Sequence, residues 1–105
     1  MSHVLRLCHW MHDVLGERAE LRFYRDDQGH EVDAIVLRAG KPWLAVEVKT
    51  RDEGLDRGLR YLLERVPIPF AFQVSLQGQQ DRLLRNVGTG HVRLTTAARF
   101  LAHLP

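Results

Sequence analysis

Residues 31–49 read EVDAIVLRAGKPWLAVEVK, a pattern that sets the architecture of the chain. Its two halves alternate as β-strands do. In the second half Leu44, Val46 and Val48 fall on one side, Glu47 and Lys49 on the other, because residues two apart share a face of a strand. Ala39-Gly40-Lys41-Pro42 is a turn between the halves, so the two runs (31–38 and 43–49) predict a hairpin. Pairing brings the Asp33 carboxylate towards Glu47 and Lys49. Two carboxylates and an ammonium on adjoining strand positions can hold a hard divalent cation with a water beside it. The plain alternative is a solvated Glu-x-Lys ion pair, worth a few tenths of a kcal/mol.

Working outward, an apolar pattern over residues 3–15 (Val4, Leu5, Leu7, Cys8, Met11, Leu15) predicts a helix stopped by Gly16. Residues 20–25 predict a first strand, with Leu21 and Phe23 on one face and Arg22 and Tyr24 on the other. Asp26-Asp27-Gln28-Gly29 reads as its turn. A helix is expected from about Leu55 to Val66, its stripe made by Leu55, Leu59, Leu62, Leu63 and Val66, and ended by Pro67 and Pro69. Phe70–Leu76 reads as a strand covered on both faces. Leu83-Leu84 reads as a short edge strand, His91–Thr95 as a last strand, and 96–104 as a closing helix capped by Thr95 or Thr96. The fold class is α/β (α+β): a mixed sheet flanked by helices, in one domain spanning residues 1–105.

The chain has 105 residues, formal net charge +2 and 45% hydrophobic residues, with a sequence pI of about 9.1. This suits a folded domain and permits nucleic-acid binding without demanding it. Cys8 is the one cysteine, which excludes an internal disulfide framework and makes a reducing cytoplasm the expected compartment. No apolar run reaches the roughly 18 residues of a membrane span, and no signal-peptide layout is present.

An acid, about a dozen residues, then Glu-x-Lys across a hairpin is the core of the PD-(D/E)xK nuclease pattern. The expected order of elements matches its restriction-endonuclease-like αβββαβ core, here followed by an appendage and a C-terminal helix. The pattern implies Asp33 and Glu47 as magnesium ligands, and Lys49 as the group that places or deprotonates the attacking water. Beyond that, Cys8-His9-Trp10, Glu20–Asp26 (ELRFYRD), Gly29–Asp33 (GHEVD), Val46–Lys49 (VEVK) and Phe100-Leu101-Ala102 resemble the C-terminal domain of unknown function attached to many prokaryotic AAA+ ATPases. The resemblance implies an ATPase upstream, yet Gly88-Thr89-Gly90 lacks the Gly-Lys-Ser/Thr of a phosphate-binding loop. It also implies a first-helix glutamate that would fall before Met1, so the chain reads as a C-terminal piece of a longer protein or as a shortened gene. Asp13 and Glu17 could substitute, or be a solvated helix end.

Two functions are therefore expected: a magnesium-dependent phosphodiesterase of reduced or absent activity, or a non-catalytic binding and oligomerisation module, with a homodimer as one assembly. Arg22, Arg25, Arg38 and Arg51 could flank the site and touch phosphates, Arg25 and Arg51 being the candidate nucleic-acid contacts; a solvated sheet face is the alternative for all four. Trp10 and Trp43 suit core or interface better than base stacking. His3, His9 and His12 lack the further ligands that zinc needs. His30 is expected to be solvated at a turn edge, and Ser75 has no histidine partner in sequence.

Overall fold

The computed structural model describes residues 19–88 and 90–103. The expected first helix, with Cys8, Trp10, Asp13, Glu17 and the early histidines, lies outside them. The elements are β1 (Ala19–Arg25), β2 (Glu31–Arg38), β3 (Lys41–Lys49), α1 (Arg57–Arg65), β4 (Phe70–Ser75), β5 (Arg82–Val87), β6 (Gly90–Thr96) and α2 (Ala97–His103). They build one six-stranded mixed sheet in the order β1-β2-β3-β4-β6-β5. β1, β2 and β3 form an antiparallel meander, β4 joins β3 in parallel through α1, β6 joins β4 in parallel, and β5 closes the far edge antiparallel to β6. This is the α/β class expected, with the βββαβ order in place.

The hairpin between β2 and β3 closes through Ala39 and Gly40, both at positive φ (51° and 75°). Such a two-residue turn matches the strand twist. Alternation then sorts the side chains. Val32, Ile35, Ala45, Ala71, Val92 and Leu94 face α1 and pack against Leu59, Leu62 and Leu63. Ala34, Val36, Leu44, Val46 and Val74 face the other way, around the fully buried Phe100 of α2. Phe72 meets Phe100 edge-on at 5.0 Å.

α1 starts two residues later than its apolar pattern suggests. Leu55 packs against the core from outside the helix, because Asp56 is the N-cap and its carboxylate accepts from the Leu59 amide. Gly58 sits inside this helix despite its poor propensity. A Cβ there would lie against the backbone of Glu31, so α1 approaches β2 as closely as it does only with glycine at this position. Two further expectations are corrected. The edge strand is longer than Leu83-Leu84, since pairing with β6 extends it from Arg82 to Val87. His30 is packed: it stacks on Tyr61 at 3.8 Å, and its Nδ1 lies 2.9 Å from Asp26 Oδ2. Asp26 also accepts from the backbone of His30 and Gln28 and from the Tyr24 hydroxyl. These bonds outweigh burial and hold its carboxyl down at about 2. Trp43 packs against Phe70 with the Arg38 guanidinium over its ring, which is the covering role expected of it. Among the described residues no helix is long and apolar enough to cross a membrane.

Candidate functional site

The site forms where the β2–β3 ladder opens. Main-chain pairing of the two strands runs to Ala34↔Val46. Against β1, the register passes from Arg22↔Ile35 to Tyr24↔Val32, three residues of β2 against two of β1. β2 therefore carries a bulge at Asp33 and Ala34, a device that re-aims side chains. Beyond it, side chains replace main-chain bonds. The Asp33 amide donates to Glu47 Oε1 at 3.0 Å, and the Val48 amide donates to Asp33 Oδ2 at 2.8 Å. Asp33 and Glu47 are thus neighbours, each side chain holding the other's strand.

Lys49 completes the expected trio. Its Nζ lies 3.5 Å from Glu47 Oε2 and 2.6 Å from Asp56 Oδ1. Asp56 was not anticipated. One of its carboxylate oxygens caps α1 and the other takes the lysine. Its own amide donates to Gln73 Oε1, while Gln73 Nε2 donates to the Gly54 carbonyl. Gln73 is 1% exposed and stands opposite Glu47 in the parallel β3–β4 register. The crossover loop is thereby fixed from beneath. Asp52 fixes it from the side, accepting from Ser75 Oγ and from the Gln79 and Gln80 amides. Two sequence signals mark these residues: an N-cap aspartate ahead of an apolar helix, and a lone glutamine inside the apolar strand Phe70–Ser75.

The electrostatics follow from burial and neighbours. Burial, with the charges of Asp33 and Asp56, pushes the Glu47 carboxyl up to about 7, against the opposing pull of the Asp33 amide and Lys49. Burial alone would lower Lys49, but the Asp56 hydrogen bond and the charges of Asp56 and Glu47 hold it above its ordinary value. Burial would raise Asp56, and the bonds from Lys49 and the Leu59 amide bring it below its usual range. The pair is ionised at neutral pH, so Lys49 is a fixed cation.

Arg25 pairs with Glu31 at 3.0 Å across β1 and β2, both side chains being largely exposed. Arg51 is exposed on the crossover loop. Ser75 bonds Asp52 and the Thr95 carbonyl, a structural use of its hydroxyl. Among the described residues no three His, Cys, Asp or Glu side chains converge as metal ligands.

Fold and site together define a mixed α/β domain with an acidic cluster around one lysine, set where an antiparallel hairpin meets a parallel crossover. The chain belongs to the family described as Domain of unknown function (DUF4143), whose model matches residues 4–95. No curated protein and no solved structure matches it.

Proposed function

We propose that this domain is a PD-(D/E)xK-type phosphodiesterase site acting on nucleic acid, with low turnover. The observation that carries the reading is the pair of side-chain bonds at the bulge, the Asp33 amide to the Glu47 carboxylate and the Val48 amide to the Asp33 carboxylate, with the Lys49 ammonium 3.5 Å from Glu47. Magnesium fits this donor set. It is commonly held by one or two carboxylates, the remainder of its shell being water and substrate phosphate, so two protein ligands are enough. Asp33 and Glu47 would hold it, and when bound it polarises a phosphate and lowers the pKa of a water.

The protein's own groups divide the remaining work. Lys49 stays protonated, so it attracts and orients a phosphate oxygen or the water and does not accept a proton. Without a cation Glu47 keeps its proton up to about pH 7; as a magnesium ligand it would be ionised, because a bound cation favours the carboxylate. Asp56 and Gln73 keep Lys49 and the loop in place. The test is a nuclease assay on DNA and RNA with magnesium, using wild type, Glu47→Ala and Lys49→Ala. Cleavage abolished in both variants supports the reading, and cleavage unchanged in both removes it.

A second reading has its own observation. The Asp56–Lys49 contact of 2.6 Å neutralises the lysine, and Phe23 is 72% exposed on the outermost strand. Both suit a binding or oligomerisation module that keeps the fold without the chemistry. The family resemblance supports an AAA+ ATPase domain as the ancestral neighbour of such a module. A stable dimer in sedimentation, with magnesium producing no heat in calorimetry, would favour it.

A further inference from the structure

Three arginines of the described residues are held by carboxylates: Arg22 by Glu20, Arg25 by Glu31 and Arg93 by Asp81, each at 3.0 Å. Arg57 and Arg60 on α1, and Arg82 and Arg85 on β5, are exposed. None of these four is within ion-pairing distance of a carboxylate among the described residues. Their placement is not scattered. β3, β4 and β6 run in the same direction, so α1, which links β3 to β4, runs back against them from its start beside Lys49. β5 is antiparallel to β6, with Arg82 opposite Leu94 and Val87 opposite Gly90, so it starts at the same end of the sheet. Arg57 and Arg82 mark the site end. Arg60, about 4.5 Å further along the helix axis, and Arg85 lie deeper. These two face a shared cleft of about 190 Å³ between α1 and β5, in which Glu64 is the one acidic side chain.

Charges on an edge strand also discourage pairing with another chain. That accounts for Arg82 and Arg85 but leaves Arg57 and Arg60 on the helix unexplained. Arginine is the residue suited to gripping phosphate oxygens with a planar fork, and phosphate contacts position a nucleic acid without reading its sequence.

We propose that the cleft between α1 and β5 is a track for the phosphate backbone of a nucleic acid, leading to the Asp33–Glu47–Lys49 site. This rests on the phosphodiesterase reading and supplies its substrate-binding surface. It also moves that surface away from Arg25, which Glu31 already neutralises. Each lost phosphate contact on duplex DNA lowers the slope of log affinity against log salt by about 0.9. The test is fluorescence anisotropy of a labelled 20-base-pair duplex in EDTA, so that cleavage plays no part, at salt concentrations between 0.05 and 0.2 M. The double variant Arg60→Gln/Arg85→Gln is expected to flatten the slope by about 1.8, so that the wild-type advantage shrinks about twelve-fold as salt rises from 0.05 to 0.2 M. Arg22→Gln/Arg93→Gln, which removes two paired arginines, is expected to keep the wild-type slope. A double variant that titrates like wild type overturns the track, as does an equal loss in the control pair. Binding to phosphatidylserine vesicles but not to the duplex overturns it as well. Asp33→Asn/Glu47→Gln that keeps the wild-type slope supports the track, whether or not any variant cleaves, so the site's chemistry and the cleft can fail separately.

Discussion

Glu47 offers a sharp perturbation because its carboxyl is folded into an environment that disfavours its charge. In the unfolded chain it titrates near 4.5, and in the fold at about 7. Below the lower value both states hold the proton. Between the two, the unfolded chain releases its proton while the folded one keeps it, so stability falls as pH rises. Above about 7 both are ionised, and the favourable share is gone. At about 1.36 kcal/mol per tenfold difference in acidity, the gap is worth up to about 3 kcal/mol. Burial of Glu47, 8% exposed, means solvent screens little of it. Glu47→Gln keeps an oxygen to accept from the Asp33 amide but has no proton to lose. Urea unfolding of both proteins from pH 4.5 to 8.5 reads the effect as a difference, in which the histidines and Asp26 cancel. The variant is expected to match wild type within about 1 kcal/mol at pH 4.5 and to gain up to about 3 kcal/mol on it by pH 8. A difference that stays constant with pH, or moves in favour of wild type, would refute the electrostatic account of the site.

Two other perturbations follow from contacts. Helix propensity alone would have Gly58→Ala stabilise by up to about 1 kcal/mol, but the new methyl meets the Glu31 backbone. A loss of about 2 kcal/mol or more in the same assay is therefore expected. Asp56→Asn keeps the cap and loses the lysine, and should cost about 1 kcal/mol. Asp56→Ala loses both and should cost about 2–4 kcal/mol, since Lys49 is left beside Glu47 alone.

Much of this could be read from the residues. The meander was legible because residues 31–38 and 43–49 are rich in strand-forming apolar residues and Ala39-Gly40 can turn. The crossover was legible because Leu59, Leu62 and Leu63 keep helical spacing up to the prolines. What stayed hidden depended on long-range pairing. The bulge at Asp33 leaves no mark in EVDAIV, as apolar residues flank it on both sides; it shows only in the register with β1. Asp56 was hidden because apolar periodicity carried the helix start to Leu55, past a capping side chain. β5 carries two arginines and an asparagine among its six residues, and its length comes from β6. His30 reads as a turn histidine until Tyr61, thirty-one residues later in the chain, is placed beneath it. The trio Asp33, Glu47 and Lys49 was visible as a spacing, whereas Asp56 and Gln73, marked only by a capping position and a lone polar residue in an apolar strand, gave no hint of what they hold.

The proposed chemistry needs Asp33 and Glu47 jointly to hold a divalent cation beside Lys49. Calorimetric titration of magnesium at pH 8 tests it most directly. The expected result is saturable binding at millimolar concentration or tighter, absent in Asp33→Asn and in Glu47→Gln. Absence of binding to wild type, or binding that survives both substitutions, would contradict it.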